Sequence, residues 1–527
     1  MSARGCSGRS DVLAREGMVA TSQPLATQAG IAVLMMGGNA VDAAVAAAAV
    51  LGVVEPFSTG CGGDAFGLVH EPGASRPIAY NGSGISGSGT TLDELRRKYS
   101  SIPARGGPPV TVPGALHLWA TLIDRHGALE LADVLQPAIR YARSGFPVSP
   151  IVSRTWASAT GALVNDSARR TFLRGDRPPA TGDVMSNPDL AVTYERIAEE
   201  GVDVFYRGDM AEKIVETVRE HGGFLTMEDM KRQTTEETVP ISIDYRGIDV
   251  FEHGPNGQGF AVLEMLRIME EYDLPAFPLY SPDRYHIMLE AKKLAYADLY
   301  QHNADPHFYR VPLDMLLSRE YAKRRRMSID MTRAMPIPCS GVGVACDTVY
   351  LAAADASGRA VSLINSLYMA FGSGLVVPGT GILLQNRGTL FSLDPLHPNH
   401  YAPNKRPFHT IIPGALYRDG DLMGVFGVMG GDHQAQAHAQ VVSNVVDHGL
   451  GPQMAIDHPR FHHDQATDTL VLEMGHPRRL LTELRRRGHN LIPNEGRLFG
   501  GGQMILRQDS IWVAGSDRRK DGQACGF

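Results

Sequence analysis

Several residue groups in the chain carry side chains that chemistry uses, and their spacing decides which can act together. Nineteen histidines are present, with His433, His438, His458, His462 and His463 crowded together. None falls in H-E-x-x-H, and the densest group, His462-His463-Asp464, is contiguous rather than spread along one face of an element. That pattern reads as hydrogen-bonded structural histidines, with no metal site expected. The five cysteines, Cys6, Cys61, Cys339, Cys346 and Cys525, form no C-x-x-C pair, so neither a zinc site nor a disulfide framework follows. Cys346 reads as a buried free thiol rather than a reactive one. Gly82-Ser83-Gly84-Ile85-Ser86-Gly87 matches G-x-G-x-x-G. However, Ser88-Gly89 delays any helix, and no βαβ unit surrounds the match. A nucleotide-binding oxidoreductase is the reading from another class, and nucleotide binding would be its test.

A second set of segments forms an ordered series. Gly37-Gly38-Asn39-Ala40-Val41-Asp42-Ala43-Ala44 and Glu290-Ala291-Lys292-Lys293-Leu294-Ala295-Tyr296-Ala297-Asp298 come first. Gly343-Val344-Ala345-Cys346-Asp347-Thr348-Val349-Tyr350 then opens a strand after an irregular stretch. Ser366-Leu367-Tyr368, Phe371-Gly372-Ser373-Gly374, Gly379 to Asn386, Lys405-Arg406-Pro407 and Met429-Gly430-Gly431-Asp432 follow in order. Together these resemble the γ-glutamyltransferase family of N-terminal-nucleophile hydrolases, from about Gly17 to the C-terminus.

The resemblance implies a precursor that cuts itself between Asp347 and Thr348, giving residues 1–347 and 348–527 as a heterodimer. Two such heterodimers could pair further. A threonine hydroxyl is a poor nucleophile without a base beside it. As a chain start, Thr348 would carry an α-amine titrating near 7.7–8.0 in model compounds, which can serve as that base. The uncut peptide nitrogen cannot, so the precursor should be inactive toward substrate. Gly430 and Gly431 fall where the family forms its oxyanion hole, with a plain tight turn as the alternative. Ser366 matches a hydroxyl residue that contacts the nucleophile. His409 and Thr410 match paired serines near the substrate, although His409 could simply pack or cap. Tyr368, Arg387 and Asp432 complete the expected substrate contacts.

The chain also departs from the family. Its arginine for the substrate α-carboxylate falls on Gly82 or Ser83, its asparagine on Tyr368, and its aspartate for the α-amine on Leu390. A buried ammonium facing leucine would be unpaired. The sequence therefore looks like the amidohydrolase branch, with oxamate amidohydrolases and cephalosporin acylase relatives. Arg387 could replace the lost carboxylate clamp, or stand in solvent. The expected reaction is cofactor-free hydrolysis of a small amide through an acyl-enzyme on Thr348. A standard γ-glutamyltransferase or glutathione hydrolase is the alternative.

These residues must be positioned by 527 residues, 43% hydrophobic and 20% charged, which suffices for a large core. The net charge of −7 argues against nucleic-acid binding. The most apolar run, from Ala43 to Val54, is too short to span a bilayer. The N-terminus shows no apolar signal core. The reading is therefore a cytoplasmic protein without membrane or nucleic-acid partners. Residues 1–16 read as a flexible lead, 17–347 as a helix-rich large chain, and 348–527 as a strand-rich small chain. Asn39 is placed to cap a helix over Ala40–Val54. Further helices are expected over Ala115–His126, Leu131–Ser144, Ala261–Tyr272, Ser281–Tyr300, Gln434–Asp447 and Pro477–Arg487. Strands are expected over Thr348–Ala354 and Ala360–Asn365 as a hairpin, and over Gly381–Leu384, Ile411–Tyr417 and Met423–Val428. The fold class is α+β, and the family resemblance implies a four-layer αββα sandwich.

Overall fold

The computed structural model describes residues 8–337, 347–494 and 499–527. Cys6, Cys339, Cys346 and most of the stretch before Asp347 lie outside the described residues, as does the side chain of Asp347. In chain order the strands begin with β1 (Val12–Ala14), β2 (Gly17–Thr21), β3 (Asp64–His70), β4 (Ile78–Gly82), β5 (Phe146–Pro147) and β6 (Val184–Met185). Next come β7 (Glu236–Thr238), β8 (Ile241–Tyr245), β9 (Ile248–Glu252), β10 (Asp347–Asp355), β11 (Ala360–Tyr368) and β12 (Gly414–Arg418). The last are β13 (Asp421–Met429), β14 (Phe461–Asp464), β15 (Thr469–Leu472), β16 (Gly501–Gln508), β17 (Ile511–Ser516) and β18 (Gln523–Gly526).

Two seven-stranded sheets carry the fold, ordered β1-β17-β16-β13-β12-β9-β8 and β18-β2-β10-β11-β3-β4-β7. Every pair in them is antiparallel. β10 obeys the two-residue period of a strand buried on both faces. Val349, Leu351 and Ala353 join one core, while Tyr350, Ala352 and Ala354 join another. The second core lies between the sheets and includes Phe66, Leu68, Ala415, Val425 and Ile505. Its many alanines let the sheets approach, and Gly427 leaves room for the Tyr350 ring. The outer face of the β10 sheet packs on helices Ala40–Val54 and Ala115–His126, with Leu131–Ser144 packed behind the first. The outer face of the β13 sheet packs on helices Gly259–Glu270 and His433–Val446, with Pro282–His302 packed behind the first. This is the expected αββα arrangement.

The helix Ala40–Val54 starts where its cap predicts. Asn39 accepts from Val41 N and Asp42 N, and Asp42 reaches back to Asn39 N at 2.7 Å. Every residue of this helix is buried, which its alanines and valines permit.

The structure corrects several expectations. Val12–Ala14, inside the supposed flexible lead, forms edge strand β1 on β17, and Arg15 N and Glu16 N bond Phe527 O. Gly381–Leu384 is not a strand; it makes one bridge, Val376 to Leu383, within a loop that folds back on itself. The strand expected from Ile411 begins at Gly414 because Pro413 has no N–H for the ladder. Gly82–Gly87 is no nucleotide cradle. A Cβ on Gly84 would lie 1.5 Å from Val112 O, and one on Gly87 2.4 Å from Phe224 O. These glycines admit the protein's own backbone.

The second half contributes histidines to the face of helix Pro282–His302. His489 bonds His286 at 2.8 Å, His463 bonds Lys292 at 3.2 Å, and His458 lies 3.4 Å from Tyr285 Oη. Burial holds all three rings low, His463 at about 3 and His458 and His489 at about 2. The unfolded chain takes up these protons first, so their contribution is complete above about pH 6.5 and declines as pH falls. The loss is about 1.4 kcal/mol per pH unit for each ring until its folded value is reached. Denaturant midpoints at pH 7.5 and pH 5 should show a clear loss on the acid side, and equal midpoints would contradict it.

Candidate active site

The β10–β11 hairpin changes register at the residue of interest. Asp347 pairs with Tyr368 and Val349 with Asn365, so Thr348 alone faces both Ser366 and Leu367. This bulge aims Ser366 at Thr348, with the two side-chain oxygens 3.0 Å apart. Ser366 Oγ also accepts from Tyr368 N at 2.8 Å, so its own proton can go to Thr348 Oγ1. Both residues are fully buried. The hairpin is held laterally by Asn365, which accepts from Trp119 Nε1 at 3.0 Å and donates to Thr59 Oγ1 at 2.7 Å.

Ser366 pairs with Asp64 on β3, which puts both side chains on one face of the sheet. Asp64 accepts from His409 Nε2 at 3.0 Å and from Gly84 N at 2.8 Å. His409 Nδ1 lies 2.9 Å from Pro407 O and 3.3 Å from the Asn256 amide nitrogen. Burial, followed by the charge of Arg387, holds the His409 ring below the ordinary histidine value despite Asp64. His409 thus forms a buried pair with Asp64, the strand partner of Ser366.

Arg387 is buried on the next wall. Its Nη1 donates to Thr410 Oγ1 at 2.9 Å, and its guanidinium stacks over the Tyr368 ring at 4.6 Å. It does not stand in solvent. Leu390, at the family's aspartate position, packs against a hydrophobic core. Near Ser83 there is a guanidinium, that of Arg406 at 3.4 Å, but it also bonds Glu236 at 2.9 Å and Thr234 O at 3.1 Å.

Gly430 and Gly431 end β13 with φ of +132° and +61°, conformations that a glycine adopts without strain. Gly431 O accepts from Gln258 Nε2 at 2.9 Å, and the same nitrogen bonds Thr410 O. Asp432 is tied to helix Pro282–His302: its carbonyl accepts from Tyr296, and its charge acts on Lys292. Thr348, Ser366, Tyr368, Arg387, His409, Thr410 and Gly431 thus form one linked group.

No motif points to Asp64, Asn256 or Gln258. A lone amide or carboxylate outside a motif is silent until folding supplies its partner. His286, Glu290 and His489 were also missed, and their ligand atoms lie within 4.8 Å of one another. Their contacts are those of a hydrogen-bonded network, with Glu290 held by Met335 N at 2.8 Å and Lys293 at 3.3 Å. Among the described residues, no helix is long and apolar enough to cross a membrane.

The γ-glutamyltranspeptidase family model matches residues 26–527. The chain belongs to this family. Within it, the chain is 38% identical to the glutathione hydrolase-like YwrD proenzyme of Bacillus subtilis, over 98% of this chain and 99% of that one. It is 34% identical to the oxamate amidohydrolase proenzyme of Klebsiella pneumoniae, over 97% and 98%. The structure of cephalosporin acylase from Bacillus halodurans superposes with a TM-score of 0.92 at 43% identity, covering 100% of this chain and 98% of that one. The family likeness read from the ordered segments, including its amidohydrolase leaning, holds, and so does the fold.

Within this family member, Ser366→Ala should lower kcat about ten- to a hundredfold by removing the hydroxyl that lies 3.0 Å from Thr348 Oγ1. KM should stay within about threefold. Steady-state kinetics on anilide amides measure this, and an unchanged kcat would remove Ser366 from the site.

Proposed function

We propose that the protein is a self-processing amide hydrolase whose nucleophile is Thr348 and whose substrates are small amides carrying a carboxylate on the acyl part. The observation that carries the substrate class is Arg387, buried on an aromatic floor beside the Thr410 hydroxyl and one ring away from the Ser366–Thr348 pair. A guanidinium with an adjacent hydroxyl is a donor array that a carboxylate fills.

In the precursor, Thr348 Oγ1 attacks the Asp347 carbonyl carbon, the bond to Thr348 N breaks, and water hydrolyses the resulting ester. The freed α-amine then takes the hydroxyl proton when Thr348 Oγ1 attacks a substrate amide. Gly430 and Gly431 N–H groups stabilise the oxyanion, and the amine leaves carrying that proton. Water, activated by the same α-amine, resolves the acyl-enzyme. The chains 1–347 and 348–527 remain together as a heterodimer, because β10 and β11 lie between β2 and β3 in one sheet. Relatives named as proenzymes support the processing step.

The family's ammonium clamp has no counterpart at Leu390, so a γ-glutamyl head gains nothing over a plain diacid head. Glutaryl p-nitroanilide should therefore be turned over at least as well as γ-glutamyl p-nitroanilide, and both better than the neutral butyryl compound. A clear preference for the γ-glutamyl compound would favour a standard γ-glutamyl enzyme instead.

Two measurements test the assignment. Intact mass should show two fragments split before Thr348 in the wild type and one chain in Thr348→Ala; an uncut wild type would overturn the nucleophile. Arg387→Met should raise KM for glutaryl p-nitroanilide roughly 10- to 100-fold, the worth of a charge-assisted hydrogen bond. The butyryl compound should be unaffected, and a parallel loss on both would exclude the clamp.

A further inference from the structure

We infer that Gln258, from the first half of the chain, is the positioning residue that sets the oxyanion loop of the second half and couples it to the acyl-binding segment. The inference rests on the proposed role of Gly430 and Gly431.

The loop needs such a brace. Two successive glycines at positive φ impose little conformational preference, so the direction of each peptide plane is decided by what holds its carbonyl. In a trans peptide the C=O of one residue and the N–H of the next point in opposite directions, so the hold on Gly431 O fixes the Gly431–Asp432 plane, and the Gly431 N–H follows the Gly430 carbonyl. Gly430 O accepts from His433 N at 3.1 Å, and Gly431 O from Gln434 N at 3.2 Å, both bonds belonging to the first turn of the following helix. The hold from outside that turn comes from the first half of the chain. Gln258 reaches Gly431 O at 2.9 Å, and Tyr296 reaches Asp432 O. Gln258 thus anchors the peptide that closes the two-glycine turn, and with it the backbone from which the Gly430 and Gly431 N–H groups project.

Gln258 suits this task. It is fully buried, at the start of helix Gly259–Glu270. Its amide orientation follows from its neighbours, because two carbonyl oxygens, Gly431 O and Thr410 O, require the NH2 and would repel the side-chain oxygen. The segment around it runs beside residues 409–410: Asn256 O accepts from His409 N at 2.7 Å, and Gly257 bridges His409. Thr410 touches Arg387 through its hydroxyl and Gln258 through its carbonyl. One side chain therefore spans the place where the acyl carboxylate is held and the place where the oxyanion forms.

The experiment compares the processed wild type with Gln258→Met, which keeps the volume and removes both donors, and with Gln258→Ala. On glutaryl p-nitroanilide, Gln258→Met should lower kcat about ten- to a hundredfold with KM within about threefold. Affinity for phenylboronic acid, which forms a tetrahedral adduct on a hydroxyl nucleophile, should fall in parallel, while affinity for glutarate stays within about threefold. Acetamide added to Gln258→Ala should restore part of kcat. An unchanged kcat, or equal losses of boronate and glutarate affinity, would overturn the inference. Should the wild type not turn over the glutaryl compound, the substrate reading fails, and the boronate titration still decides for or against the brace.

Discussion

The lateral hydrogen bonding of β10 and β11 is the constraint on which the site depends. β10 pairs with β2 on one side and β11 on the other, and β11 continues to β3. A strand bonded on both edges cannot shift its register without breaking both ladders. The one irregularity, at Thr348, is therefore held in place by regular pairing beyond it. Ser366 is aimed by that bulge, Asp64 is brought alongside by the next strand, and His409 follows Asp64. The order of the site is inherited from the order of the sheet.

Electrostatics adds a second layer. The site concentrates charge-bearing groups where water is scarce: Arg387, the His409–Asp64 pair and, behind the Gly430–Gly431 turn, Lys292. Burial pulls Lys292 down to about 7, against the opposing pull of Asp432 and Asp464. Its ammonium lies over the Tyr296 ring at 3.9 Å and donates to Gln465 at 3.0 Å. Desolvated groups of this kind are costly when left alone and directional when partnered. Arg406 bonds Glu236 and holds a loop, and Arg387 bonds the Thr410 hydroxyl over the Tyr368 ring.

The sequence made the scaffold more legible than the pocket. Helix Ala40–Val54 could be bounded from Asn39 and Pro56, and the β10–β11 hairpin from alternating apolar residues around Ser357-Gly358, because both signals are local. The edge strands β1 and β18 could not be found, since three or four residues show no period. Helices Pro150–Ala159 and Asp166–Phe172 were missed among polar residues without a clear stripe. Within the candidate site, the ordered segments single out Thr348 and Ser366, which the fold brings into contact. The contact of His409 with Asp64 spans 345 positions, and that of Gln258 with Gly431 spans 173; no spacing rule reaches so far. The glycine-rich match at Gly82–Gly87 misled in form only, because backbone crowding and phosphate binding ask for the same residue.

The shared sheets also bear on what the proposed cut would do to the molecule's lifetime. Each sheet contains strands from both sides of the Asp347–Thr348 bond, so neither fragment of a chain cut there would hold a complete layer by itself. The uncut chain assembles those layers in an intramolecular search. After cutting, the same assembly would require two partners to meet, with the loop-closure advantage of one chain gone. Loss of structure in a chain so cut would become a one-way event at low concentration. Its lifetime is set by how slowly the fragments come apart rather than by how well they could find each other again.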